Sequence, residues 1–173
     1  SEMCIRDRAY TAKLRNGLFR NTGACMAPQT AFYNLIGMET LGLRMERACS
    51  NAKALAEFLN TYPDITVNYP GLACSPWHEV ADKVLANGYG AILTIRVGSK
   101  ERAFSIINNL SIPKIVSNIG DTKTLIIHPE STLNAHSTEK EKEDAGVFND
   151  LIRISVGIED IEDLIEDFKA ALA

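Results

Sequence analysis

The chain has 173 residues, 46% of them hydrophobic, 23% charged and 7% aromatic, with 18 Lys+Arg against 22 Asp+Glu. That apolar fraction excludes global disorder and suits one well-buried core rather than two. No long basic run marks a nucleic-acid footprint, and no apolar run approaches the roughly 20 residues of a membrane span.

The pattern of elements reads in chain order. Residues 1–8, Ser-Glu-Met-Cys-Ile-Arg-Asp-Arg, do not join smoothly to the residues after them. They read as a non-native, artefactual N-terminus or as a natural polar segment, so fold reasoning starts near Ala9. Residues 9–28 are a mixed, basic connection carrying Lys13, Arg15 and Arg20. Pro28 suits the first turn of a helix, and residues 29–61 run without proline. The 3–4 spacing of Phe32, Leu35 and Ile36, then of Cys49, Ala52, Leu55, Ala56 and Leu59, predicts one long helix. Its expected bend is at Gly37 or Gly42, and Pro63 ends it.

Beyond it, Ile65–Tyr69 reads as a strand, and Ser75-Pro76 opens a helix to about Ala86. Ala91–Val97 is an apolar strand, and Ser99 caps a helix through Asn109. Pro113–Ser117 and Thr124–Ile127 are strands, and Thr138-x-x-Glu141 is a capping box. Leu151–Val156 is a strand, and Glu159–Leu172 is an amphipathic helix. This order predicts an α/β (α+β) domain over residues 29–173. Its sheet would have four or five mostly antiparallel strands, with helices on one face.

Several candidate chemistries fall away. Cys4, Cys25, Cys49 and Cys74 lie 21, 24 and 25 residues apart, too far for the close ligand pairs of a zinc site. They read as reduced, mostly buried thiols. Gly88-Tyr89-Gly90 precedes a strand, whereas a dinucleotide loop comes after one, so it reads as a turn. His78, His128 and His136 include no helical i, i+4 pair. His128 can line a pocket or satisfy backbone groups in its loop. The acidic runs at 139–144 and 159–167 read as solvated helix faces.

Two segments carry more. Ser117-Asn118-Ile119-Gly120-Asp121 is a small polar loop directly after an apolar strand. Arg153 sits between Ile152 and Ile154, so strand alternation sends it to the opposite face from both isoleucines. It is either a surface charge or a guanidinium placed to fork onto a carboxylate.

At these segments the sequence resembles the Cys/Met-metabolism PLP-dependent enzymes. The resemblance rests on Gly23–Pro28, Thr40–Arg47, Val67–Leu72, Asn118–Leu125 with His128-Pro129, and Leu151–Asp160. It is collinear from about Ala9 to Ala173. Asn118-Ile119-Gly120-Asp121-Thr122-Lys123-Thr124-Leu125 most resembles the loop of O-acetylhomoserine sulfhydrylases. Lyases and cystathionine synthases tend to read Ser-Leu-Gly-Gly there.

The resemblance implies the small C-terminal domain of a fold-type I enzyme, with a long N-terminal connecting helix and a cofactor domain upstream. It implies γ-replacement, converting O-acetylhomoserine and sulfide or a thiol to homocysteine or methionine. Cystathionine γ-synthase, cystathionine γ-lyase and methionine γ-lyase are the neighbouring reactions. A freestanding module that binds a carboxylate metabolite is the reading from another class.

Arg153 would bind the amino-acid substrate's α-carboxylate, with Asn118 and the backbone of Ser117 helping to place it. His128 would support the loop without being catalytic. Pyridoxal 5'-phosphate would supply the electron sink, and the protein the orientation. The family's Schiff-base lysine belongs to a Ser-x-Thr-Lys motif that this chain does not contain, and Lys123 does not align with it. No catalytic, cofactor-binding or metal-ligating residue is therefore expected here. The resemblance further implies a homotetramer, while the reduced thiols point to the cytoplasm and the composition to no nucleic-acid or membrane partner. The chain alone should be inactive, with exposed apolar surface that promotes self-association.

Overall fold

The computed structural model describes residues 9–173; the reading of residues 1–8 lies outside them. The chain divides into two compact units, one running up to Leu41 and the other Gly42–Ala173.

In the first unit, residues 9–22 are helical (α1), with a π-helical turn at Arg15–Phe19. Gly23 ends this segment in the left-handed conformation, φ 64°, which glycine adopts without a Cβ clash. A second helix, α2, spans Pro28–Glu39, with its proline in the first turn as expected. No residue of α2 is buried.

The second unit opens with α3, Leu41–Leu59. The segment 29–61 is thus two helices rather than one. The break is at Thr40, φ −105° and ψ 4°, a β-branched residue of low helix propensity lying between the two glycines expected to bend it. The remaining elements are β1 (Thr66–Asn68), α4 (His78–Val84), β2 (Ile92–Arg96), α5 (Lys100–Asn109), β3 (Lys114–Ile115), β4 (Leu125–Ile127), α6 (Glu139–Asp144), β5 (Leu151–Ser155) and α7 (Ile161–Leu172). Helix α4 starts later than its Ser75-Pro76 signal. Ser75 instead forms a turn, accepting from Trp77 N–H through its hydroxyl and from His78 N–H through its carbonyl. Strand β3 is shorter than expected because it pairs on one side only.

The five strands lie in the order β1-β2-β5-β4-β3. Three pairings are antiparallel, and only β3 and β4 run parallel. Leu93 faces Ile154, Ile95 faces Ile152, and Ile126 faces Ile154. These residues form one face of the sheet. Against them pack Ala52, Leu55, Ala56 and Leu59 of α3, Ala103 and Ile106 of α5, and Leu164 and Phe168 of α7, all buried. Each fully buried Leu or Ile contributes roughly 1.5–3 kcal/mol. The connection between β4 and β5, which includes α6, walls the other face.

Helices α5 and α6 start at their expected caps. Ser99 Oγ accepts from Arg102 N–H, and Thr138 and Glu141 form the reciprocal capping box. Two of the cysteines depart from expectation. Cys25 and Cys74 are exposed and Cys49 half-buried, all three free, while Cys4 lies outside the described residues. Cys25 precedes a helix without buried residues, and Cys74 occupies a surface turn before α4.

A buried knot ties α3 to the end of β5. Asn51 Nδ2 donates to the carbonyls of Gly157 (3.1 Å) and Glu159 (2.8 Å). Glu159 accepts from the backbone N–H and hydroxyl of Thr124, whose Oγ1 in turn accepts from Gly157 N–H at 2.9 Å. A methyl group on Gly157 would meet the Thr122 carbonyl oxygen at 2.4 Å, so this crossing admits only glycine. A second, charged clamp holds the β4–β5 connection. Glu130 accepts from Lys100 (2.7 Å) and Lys142 (3.1 Å), and Lys142 also reaches Glu139.

Asn51→Ala removes the side-chain donor of the buried Gly157 carbonyl and leaves the Glu159 carbonyl only its longer bond from Arg47, 3.4 Å, and is expected to cost about 1–3 kcal/mol in urea unfolding, with the slope unchanged. The bonds from Lys100 and Lys142 hold the Glu130 carboxyl down at about 2, against an ordinary value of 4.5. A depressed carboxylate contributes stability that is complete above 4.5 and is lost as pH falls through about 2. The difference in melting temperature between wild type and Glu130→Gln should accordingly be largest above pH 4.5 and shrink toward pH 2.

Candidate active-site cleft

Alternation along β5 is the local rule that builds the site. Ile152 and Ile154 enter the core, so Arg153 emerges on the opposite face, across from Thr94 of β2 and Ile127 of β4. The same face carries Thr66 and Asn68 of β1 and Arg96 of β2. With Pro129, Leu133 and residues 145–148 of the β4–β5 connection they line a cleft of about 390 Å³. Arg153 is half-buried there, and among the described residues no hydrogen bond or ion pair engages its guanidinium. Among the described residues no carboxylate lines the cleft.

Arg96 is engaged. Its Nε donates to Asp150 Oδ1 at 2.9 Å, and its guanidinium carbon stands 4.0 Å from the centre of the Phe148 ring. Asp150 also accepts from Gly98 N–H at 3.1 Å. Burial pushes the Asp150 carboxyl up, but the Arg96 and Gly98 bonds more than offset it, so the group lies below the usual carboxylate range.

Ser117 and Asn118 are exposed in the loop after β3, and neither lines the Arg153 cleft. Strand β3 lies two strands from β5 in the sheet. The next residues, Ile119, Gly120 and Asp121, line a second, mostly apolar cleft of about 300 Å³ with Ala48, Ser155 and Val156. The loop is pinned at its far end, where Ile158 N–H donates to the Thr122 carbonyl at 2.9 Å. The backbone N–H of Lys123 and the Thr122 hydroxyl hold the Asp121 carboxyl below its ordinary value.

His128 is buried and structural. Its Nε2 lies 2.7 Å from the Asn149 carbonyl, which can only accept, so that nitrogen carries the proton. Its Nδ1 then accepts from Ser131 N–H at 3.3 Å. The ring joins the start and end of the β4–β5 connection and packs 4.8 Å from Phe104.

No lysine among the described residues lines either cleft. Lys100 and Lys142 are bound to Glu130, Lys53 pairs with Glu57, and Lys169 pairs with Glu166. Lys123 is exposed in its loop. Among the described residues no group of three or more His, Cys, Asp or Glu could hold a metal ion, and no helix is long and apolar enough to cross a membrane.

Arg96, Asp150 and Phe148 escape sequence reasoning. The signal was present in Thr94-Ile95-Arg96, which alternates like Leu151-Ile152-Arg153, but only the strand register brings the two arginines to one cleft.

The chain is 43% identical over 158 residues to an L-methionine gamma-lyase of Fusobacterium nucleatum subsp. polymorphum, covering 90% of this chain and 40% of that protein. It is also 43% identical to the homocysteine synthase of Schizosaccharomyces pombe, over 95% of this chain and 39% of the relative. Its structure matches that of an O-acetylhomoserine (thiol)-lyase from Campylobacter jejuni, which carries a pyridoxyl-lysine phosphate. The TM-score is 0.88 at 37% identity, over 95% of this chain and 39% of that one. The chain thus spans about two-fifths of the length of the relatives it matches. The profile of the Cys/Met metabolism PLP-dependent enzymes matches residues 3–173, and the chain belongs to that family.

Proposed function

We propose that this chain supplies the substrate-carboxylate side of a PLP-dependent enzyme of sulfur amino-acid metabolism. The reaction is γ-replacement: O-acetylhomoserine and sulfide, or a small thiol, become homocysteine or methionine with release of acetate. Arg153 carries this reading. It is a half-buried guanidinium without a protein partner among the described residues, in a cleft that no carboxylate of theirs lines. Such a group favours a planar anion, because two parallel N–H···O bonds can form at once. Its ligand is the substrate's α-carboxylate.

Asn118 and the backbone of Ser117 act from the other side. Neighbouring strands are about 4.8 Å apart, so a loop two strands away lies roughly 10 Å from β5. An extended arginine with a bound carboxylate can bridge that gap. Held at both points, the substrate has little rotational freedom, which is what an orientation-dependent bond cleavage requires. Similarity to homocysteine synthase and, at 38% identity, to the O-acetyl-L-homoserine sulfhydrylase of Corynebacterium glutamicum supports the replacement reaction. A γ-lyase acting on methionine is the second reading, favoured by the equal 43% identity to the Fusobacterium enzyme.

On this reading residues 9–28 connect to a cofactor-bearing part, and the enzyme works in the cytoplasm as a homotetramer. The chain by itself has no transsulfuration activity.

Two experiments test the reading. In titrations with O-acetylhomoserine followed by amide chemical shifts in β5, Arg153→Met is expected to weaken binding roughly tenfold or more. Unchanged affinity in a folded variant overturns the assignment. Incubation with PLP, borohydride reduction and peptide mapping should find only scattered, substoichiometric labelling of exposed lysines such as Lys123. A single stoichiometric adduct would give this chain a cofactor site of its own.

A further inference from the structure

The two clefts open along one strand. Arg153 and Ser155 are alternate residues of β5, so both emerge on the face away from the helices, about 7 Å apart along the strand. Ser155 stands opposite Ile92 of β2 and Leu125 of β4, and it lines the smaller cleft of about 300 Å³. Met45 and Ala48 of α3, Ile92, Val156 and Ile158 give that cleft its apolar walls.

Ser155 is 3% exposed. Among the described residues no hydrogen bond engages its hydroxyl, and no fully buried side-chain oxygen or nitrogen lacks a partner. The hydroxyl therefore opens onto the cleft and not into packed protein. A hydroxyl in apolar surroundings is costly until a polar atom pairs with it. The charged side chains that line the cleft are engaged elsewhere. Asp121 Oδ1 accepts from the Thr122 hydroxyl and from Lys123 N–H, and Arg44 has an interaction of its own. Recognition falls to the apolar walls and to the Ser155 hydroxyl, which can both donate and accept. An ion entering this cleft would lose hydration that apolar walls do not replace.

Position gives a ligand there an effect. Ile119, Gly120 and Asp121 form one wall, and they follow directly on Asn118. Gly120 turns the loop in the left-handed conformation, φ 76°. Among the described residues nothing hydrogen-bonds Ile119 or Gly120. A molecule that fills the cleft gives these residues a surface to pack on, and so orders the loop that presents Asn118.

We propose that the second cleft binds a small, uncharged aliphatic molecule with one hydrogen-bonding oxygen, such as an alcohol or ketone, and that its occupation tightens substrate binding through the loop. Ser155 holds the oxygen, and the apolar walls hold the carbon skeleton. The site stands on Ser155 and its cleft; the coupling rests on the assignment of Asn118 to the substrate.

The test follows amide shifts of residues 119–121 and 155–158 in the chain itself. The probes are isobutanol and two charged molecules of the same shape, isobutyrate and isobutylammonium. Isobutanol is expected to saturate these shifts, and both ions to bind about tenfold more weakly or worse. Ser155→Ala should weaken isobutanol roughly fivefold. Ala48→Met, which fills the cleft from α3, should abolish its binding. With isobutanol saturating, O-acetylhomoserine should bind roughly fivefold tighter, and the converse must hold by linkage. Equal binding of the three probes in the wild type overturns the site, as do shifts that never saturate, or an affinity indifferent to Ser155→Ala in a folded protein. Saturable isobutanol binding with unchanged O-acetylhomoserine affinity overturns the coupling. Arg153→Met keeps the two readings apart. If O-acetylhomoserine binds that variant as tightly as wild type while isobutanol still saturates its shifts, the α-carboxylate assignment fails and the second site stands.

Discussion

Two buried isoleucines decide where Arg153 goes. Ile152 and Ile154 are fully buried on the helix side of the sheet, and the pleat leaves the residue between them no other direction. Because β5 is the central strand, paired on both edges, the residue cannot turn over without a register slip that would expose both isoleucines. The chemistry of the open face therefore depends on the packing of the closed one. The helices α3, α5 and α7 bury the face that fixes the orientation of Arg153, although none of them lines the cleft.

The loop that would meet the substrate from the other side is held by a different device. Thr124 donates through its backbone N–H and its hydroxyl to the Glu159 carboxylate beneath it, Asn51 of α3 closes the knot, and Gly157 leaves just enough room for the Thr122 carbonyl. The polar segment Ser117–Lys123 thus hangs between two fixed points, β3 and the Thr122–Ile158 bond. The cleft wall is fixed in the same manner by Glu130 between two lysines and by His128 between two ends of its connection. Polar contacts set the loops, and apolar contacts set the sheet.

Much of this is legible in the sequence alone. Strands β2, β4 and β5 and helices α5 and α7 announce themselves through apolar runs, the Ser99 cap and the 3–4 stripe of residues 161–172, because those signals are local. The break at Thr40 is not legible. Apolar spacing continues through it, and a single residue leaving the helical region is a small local energy against a long periodic pattern. The helical state of residues 9–22 also escapes, since that segment has no apolar face to give it a period. For the site, alternation exposes Arg153 from its two neighbours alone. Arg96, Asp150 and Phe148 depend on which residue stands opposite which across a gap of more than fifty positions, and that pairing is long-range information.

Strand order has a consequence for how this unit comes into being. Strands β1 and β2 pair with each other, as do β3 and β4, yet the two pairs meet only through β5. The strand at the centre of the sheet is the latest of the five in the sequence. A chain emerging from the ribosome therefore carries two disconnected half-sheets, each with an apolar face, until almost the whole unit has been synthesised. Such non-local closure is slow and leaves sticky edges waiting for their partner. When β5 inserts, it completes the core and delivers Arg153 to the opposite face in one step, so a partly folded molecule has neither the barrier to aggregation nor the arginine-lined cleft.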